Sequence, residues 1–176
     1  MKNLLLLVAL ALLLIGGGLL YGGNYVNNFI KDQLSVQKIT FGTADELTKG
    51  GRADLVQYAG VTVTTGPEAK AFASYIQGHL EKVANGQTYS EVSNAYLKDT
   101  TNQKLAGQRQ TLFMGEMLRG TLLNVWGWSI VGMIAIYSAM GLWLAAVAIL
   151  VLYLIVDKKS STKKQVPKKA GKKSRK

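Results

Sequence analysis

Apolar residues are concentrated in two long stretches, one near each end of the chain. Residues 4–20 are uniformly apolar, and no charge occurs between Lys2 and Lys31. At 1.5 Å per residue, a helix over residues 4–20 covers about 26 Å, and residues 21–25 extend it to the bilayer core thickness of about 30 Å. The pattern predicts a first transmembrane helix over residues 1–25.

A cleaved signal peptide is the alternative interpretation of this stretch. Its apolar core typically has about 7–15 residues and ends at a small-x-small site. Gly16 and Gly18 resemble such a site, but the apolar run is longer, so we expect an uncleaved signal anchor.

The second stretch, residues 120–156, also carries no charge. As a helix it would be about 55 Å long, more than one bilayer core requires. Trp126 and Trp128 are typical of a membrane interface. We therefore predict an interfacial segment and a second transmembrane helix over residues 123–156, with residues 130–155 in the core. A re-entrant turn is the alternative, but no paired helix breakers mark one.

The charges that flank these stretches predict the topology. Residues 157–176 hold ten basic residues and one acidic, whereas residues 31–119 hold ten basic and nine acidic. Basic flanks remain on the cytoplasmic side. We expect a multi-pass protein of the plasma membrane with both termini cytoplasmic and residues 26–122 outside.

The region between the two stretches has a mainly helical pattern. Apolar residues recur at helical spacing from Gly66 to Val83, with Pro67 suited to the first turn and Gly86 to the stop. Shorter helices are expected over residues 90–97 and from Thr101 into the second span, and residues 35–41 and 61–65 are predicted to pair as short extended segments. The fold prediction is an all-α membrane protein: a two-helix transmembrane hairpin, a small extracytoplasmic helical domain and a disordered basic tail.

Small residues on the two spans indicate how they pack. Gly18 and Gly22 form one small-xxx-small pair, and Gly141 and Ala145 form another. We expect these pairs to pack within one chain, with homodimerisation as the alternative.

Composition excludes several kinds of chemistry. The chain has no cysteine and one histidine, His79. A disulfide framework, a thiolate metal site and a Cys nucleophile are therefore excluded. There is no phosphate-binding loop signature and no grouping of acidic residues typical of a metal site. The sequence predicts a protein that is not an enzyme and has no cofactor.

Three side chains remain as candidates for function. His79 has an unperturbed pKa near neutrality, although a helix-face histidine is the simpler interpretation. Tyr89 invites a binding role, but such an aromatic more often packs a turn. Arg119 lies where the last helix enters the membrane and is expected to anchor there, paired with Glu116.

The predicted disordered tail, residues 157–176, is polybasic and lacks the apolar residues needed for a core. Its positive charge is suited to binding anionic lipid and to enforcing the topology. Nucleic acid is a less favoured partner, because no aromatic residue is interleaved for base stacking. The residues assigned to this role are Lys158, Lys159, Lys163, Lys164, Lys168, Lys169, Lys172, Lys173, Arg175 and Lys176.

Four stretches together carry a resemblance to a known family: residues 33–41, 66–79, 86–91 and 118–127. They resemble a family of small two-span membrane proteins, mostly actinobacterial, often labelled "aromatic ring-opening dioxygenase LigA". The resemblance covers roughly residues 5–155 and implies two spans around an external helical segment, but no function. A ring-cleaving Fe(II) site needs two histidines and a carboxylate, so a chain with one histidine contradicts the label unless a second chain supplies ligands.

Two functions are compatible with this organisation. The favoured one is a structural or accessory membrane protein that presents its outside domain to an envelope protein partner. The other is a module that senses a ligand outside and relays helix motion to the tail.

Overall fold

The computed structural model describes residues 2–164, with side chains for residues 3–158. Its elements are helices α1 (Lys2–Gln37) and α2 (Ala44–Lys49), a 3₁₀ helix (Ala53–Tyr58), and helices α3 (Gly66–Val83), α4 (Tyr89–Lys98) and α5 (Gln103–Lys164). Among the described residues the extended pairing is limited to one antiparallel bridge, Thr40 with Thr62. The prediction of an all-α protein is confirmed.

Among the described residues, two helical stretches are long and apolar enough to cross a membrane. They are Asn3–Gln37, with a mean hydropathy of 2.7, and Gln103–Lys158, with 2.6. Only 11% of the most apolar window of each is buried. A core helix of a soluble domain would instead be mostly buried, so these helices have the character of membrane spans.

Helix α5 is continuous from Gln103 to Lys164, which rules out the re-entrant turn. It also includes residues 157–164, which the sequence predicts to be disordered. Adding a residue to an existing helix needs no new nucleus, so a polar continuation remains helical. The rest of the predicted tail, including Lys168, Lys169, Lys172, Lys173, Arg175 and Lys176, lies outside the described residues.

The chain divides into two units, both built partly from α1 and α5. The terminal unit combines residues up to Gly22 with those from Ala135 onward, and the central unit is Gly23–Ile134. The central unit thus extends further along both long helices than the predicted domain over residues 26–122.

In the terminal unit, small residues bring α1 and α5 together. A Cβ added to Gly16 would lie 2.5 Å from the Trp143 ring and 3.3 Å from the Ala139 carbonyl. The Trp143 indole Nε1 donates a hydrogen bond to the carbonyl of Leu13 at 3.3 Å. This close approach requires glycine at position 16.

The glycines predicted to pack the spans do not form this contact. A Cβ added to Gly18, Gly22 or Gly141 would have no neighbour within 4 Å, and Ala145 is exposed. Because α1 turns the face of Gly16 toward α5, Gly18 and Gly22 lie on other faces of the helix.

The central unit has a core of large apolar side chains. One cluster is buried where α1, α3 and α5 meet the segment between α1 and α3, and a second is buried among α3, α4 and α5. The first comprises Ile30, Leu34, Phe41, Leu47, Leu55, Val63, Ala69, Ala73 and Leu122, and the second Leu80, Ala84, Val92 and Leu112. These clusters fix the positions of α3, α4 and α5.

The extended pair predicted over residues 35–41 and 61–65 is shorter than expected. Helix α1 continues to Gln37, and Lys38 ends it with a φ of 52°. The two segments are then joined by three backbone hydrogen bonds, Phe41 N to Val61 O at 3.0 Å, Val63 N to Ile39 O at 2.8 Å and, just beyond the predicted segments, Gly60 N to Gly42 O at 3.1 Å. Burial of Leu34 fixes the last turn of α1 against the core.

Candidate functional site

Helix α4 starts at a capping box that fixes the position of Tyr89. The Thr88 hydroxyl accepts from the Glu91 backbone N at 3.3 Å, and the Glu91 Oε2 accepts from the Thr88 backbone N at 2.7 Å. Together these bonds satisfy two free donors at the helix start. Tyr89 is therefore the first residue of α4, one position earlier than predicted, and it lies between two cavities.

The first of these, here called the arginine cavity, lies between α4 and α5 and has a volume of about 440 Å³. Three aromatic rings form much of its wall, and the Tyr89 and Phe113 ring centroids are 5.9 Å apart. Its lining residues are Tyr89, Tyr96, Ala106, Arg109, Gln110 and Phe113.

Arg109 supplies the charge in this cavity. Its Nε donates to Ser93 Oγ at 3.1 Å, and its guanidinium carbon lies 5.3 Å from the Tyr96 ring centroid. The contact with the ring is a cation–π interaction, which holds the plane of the guanidinium. Arg109 is half-buried, so its charge is less screened than that of a surface arginine.

The phenol of Tyr89 lines the same cavity as this group. Hydrogen bonding to Ser93 and then to Arg109 lowers the pKa of the Tyr89 phenol from its ordinary value. Such bonds, and the nearby positive charge, favour the phenolate over the phenol. The Tyr89 hydroxyl and the Arg109 guanidinium are therefore neighbouring polar groups on the wall of the arginine cavity.

The second cavity, of about 390 Å³, lies on the other side of Tyr89 among α3, α4 and α5. Arg119 contributes to its wall and pairs with Glu116 at 2.9 Å, as predicted, while donating to Gln77 Oε1 at 3.1 Å. Gln77 in turn donates to Glu81 Oε1 at 3.0 Å. The charge of Arg119 is thus compensated by a carboxylate of its own helix.

Of the three predicted candidates, the structure brings Tyr89 and Arg119 to the same cavity. His79 lies exposed on α3 and lines neither cavity. Among the described residues no group of three or more His, Asp or Glu side chains is placed to hold a metal ion.

Arg109 was missed by the sequence analysis, although the sequence contains a signal for it. Tyr89, Ser93 and Tyr96 are spaced i, i+4, i+7 and so share one helical face. Arg109 and Phe113 are spaced i, i+4 on the next helix. A short loop between two such helices places them as antiparallel neighbours, which brings the two faces together.

Comparison with known proteins gives no match to a family model, to a curated protein sequence or to a solved structure. The family resemblance inferred from the sequence therefore stays a prediction.

Proposed function

We propose that this is a non-enzymatic accessory protein of the plasma membrane, with α1 and α5 crossing the bilayer as a hairpin and both termini in the cytoplasm. The central unit would then lie outside the cell. Support comes from the two exposed apolar helices and from the excess of basic residues after the second one. Exposed Tyr25, Phe29 and Trp128 suit the outer interface, where aromatic rings concentrate.

An exposed apolar strip on α5 is the observation that carries the proposed role. Phe113, Met114, Met117 and Leu118 are 51%, 62%, 60% and 43% exposed. Along the helix axis they precede residue 130 by roughly 18–26 Å, so a bilayer that covers residues 130–155 would not reach them. Apolar patches exposed to water mark interaction sites, and methionine adapts its shape to a partner. The strip therefore suits contact with another envelope protein.

The partner role is tested with a photo-crosslinking amino acid at Met117 in cells of the native host. The matched control is Lys104, exposed on the same helix but rotated by about 220° from Met117. We expect a discrete protein adduct at Met117 that is absent at Lys104. Identical adducts at both positions, or none at Met117, would contradict the proposal.

The topology is tested separately, because the chain has no cysteine of its own. Single cysteines at Lys98 and Ser174 are exposed to an impermeant thiol reagent on intact cells. Lys98→Cys should label, whereas Ser174→Cys should label only after the membrane is opened. The reverse pattern would place the central unit in the cytoplasm.

The basic tail is proposed to contact anionic lipid by charge alone. Lysines in pairs, separated by short spacers, have no planar fork that would read a particular geometry. A peptide over residues 158–176 should bind vesicles containing anionic lipid. It should dissociate in about 0.5 M salt, because salt at that concentration screens the attraction between charges over a short distance. A scrambled peptide of equal charge should bind equally well.

A further inference from the structure

The three arginines whose side chains the structure describes differ in whether a carboxylate neutralises their charge. Arg52 pairs with Asp54 at 2.8 Å, and Arg119 pairs with Glu116 at 2.9 Å. Arg109 has no carboxylate within ion-pair distance among residues 3–158; Ser93, Tyr89 and the Tyr96 ring, all uncharged, surround it. A half-buried guanidinium without an anion is an unusual arrangement, because burial of charge is normally offset by pairing.

The surroundings of Arg109 show what kind of anion would fit. Its fork of N–H groups borders a cavity of about 440 Å³ whose wall is largely aromatic. A planar carboxylate matches the guanidinium fork and carries one charge, which one arginine can neutralise. A phosphate dianion would bring a second charge against the rings of Tyr96 and Phe113, where nothing on the cavity wall compensates it.

We propose that the arginine cavity binds a carboxylate carried by a short apolar group. Arg109 pairs with the carboxylate, the Tyr89 hydroxyl donates a further hydrogen bond, and the rings of Tyr96 and Phe113 cover the apolar portion. The site is independent of which way the chain crosses the membrane. It therefore goes beyond the accessory role, and it shares only Phe113 with the apolar strip of α5.

Two sources offer this chemistry, a free small acid and the terminal carboxylate of a peptide. Butyrate represents the first, with butyramide as its uncharged counterpart, and N-acetyl-leucine represents the second, with N-acetyl-leucinamide. The full chain is used in nanodiscs of neutral lipid, and binding is measured by ligand-observed NMR against empty nanodiscs. We expect at least one acid to bind with a dissociation constant near or below about 1 mM, which corresponds to about −4 kcal/mol. Whichever acid binds more tightly identifies the source.

Variants then assign the binding to the cavity. Arg109→Gln should weaken the acid at least about tenfold, and Arg109→Lys should also weaken it because an ammonium lacks the fork. Tyr89→Phe keeps the ring and removes one hydrogen bond, which should weaken binding about threefold. Lys104→Gln removes one charge from the exposed face of the same helix and should leave binding unchanged. Circular dichroism and thermal midpoints confirm that each variant is folded.

Several results would overturn the proposal. These are equal binding of an acid and its amide, equal losses in Arg109→Gln and Lys104→Gln, inorganic phosphate binding more tightly than either acid, or no binding of either acid up to about 10 mM. Because the adduct at Met117 does not involve the cavity, failure here leaves the accessory role to its own test.

Discussion

The same two helices, α1 and α5, pack by opposite rules in the two units. In the terminal unit the buried positions are small, namely Ala9, Gly16, Ala139 and Ala146, while large side chains such as Leu144 are exposed. In the central unit the large side chains Ile30, Leu34, Leu112 and Leu122 are buried, and the small buried residues described in these helices are limited to Gly23 and Gly132, at its boundary along the chain with the terminal unit. In lipid, no hydrophobic effect favours the burial of large side chains between helices, so helices associate through close backbone approach at small residues. In water, the hydrophobic effect favours the burial of large apolar side chains.

The largest expected effect is the contrast between two leucines of α5. Leu122 is 2% exposed in the central core, and Leu144 is 73% exposed in the terminal unit. Leu122→Ala should lower the free energy of unfolding by about 2–5 kcal/mol, since it removes buried methyl groups and leaves a cavity.

Leu144→Ala is the matched control and should change the stability of the protein in nanodiscs by about 0.5 kcal/mol or less. Denaturant titration in nanodiscs measures both variants. Equal losses would mean that the two units are not stabilised differently.

The next effect compares glycines of α1. Gly16→Ala places a Cβ against the Trp143 ring and should destabilise the terminal unit by about 1–3 kcal/mol. Gly18→Ala meets nothing within 4 Å and gains helix propensity, so it should be neutral or stabilising by up to about 1 kcal/mol. Thermal midpoints in nanodiscs show whether each substitution stabilises or destabilises the protein. A loss at Gly18 instead would show that this face is covered, as in homodimerisation.

A smaller effect concerns Glu68, the acidic member of the α3 capping box. Partial burial alone would raise the pKa of Glu68, but hydrogen bonds donated by the backbone N–H groups of Thr64 and Thr65 and by their hydroxyls outweigh it and lower the pKa. A lowered folded-state pKa means that the stabilisation is present above the ordinary value of 4.5 and is lost as pH falls through the folded-state value.

Between pH 7 and pH 5 the contribution of Glu68 should therefore be constant, and below about pH 4.5 it should decline. Glu68→Gln should reduce stability at pH 7 by about 1 kcal/mol and flatten part of the acid dependence. Glu81→Gln, on the same helix but outside the box, should leave that slope unchanged in pH-dependent denaturant titrations.

The smallest effect is expected at His79. The side chain is exposed on α3 and lines neither cavity, so His79→Gln should change stability by no more than about 0.5 kcal/mol. Loss of a cellular phenotype at unchanged protein abundance would instead assign a role to this residue.

Local signals in the sequence predicted the helices better than the contacts between them. Pro67 and Glu68 mark the start of α3, and uncharged runs mark the two long helices, because these signals lie within the elements themselves. Which glycine faces the other helix depends on rotation about the axis, so Gly18 was favoured where Gly16 makes the contact. Arg109 was missed for a similar reason, since its cavity forms only when α4 and α5 pack together.

The capping boxes have a further consequence for the order of folding during synthesis. Helices α2, α3 and α4 are capped by Thr43, Thr65 and Thr88, each with a glutamate three residues later. Such local contacts close within microseconds, long before a ribosome adds the next residues. The core also needs Leu112 and Leu122, which are made afterwards. Until α5 emerges, the nascent chain should therefore contain helices that have begun to form but are not yet packed against a core. A chaperone would be needed most during that interval.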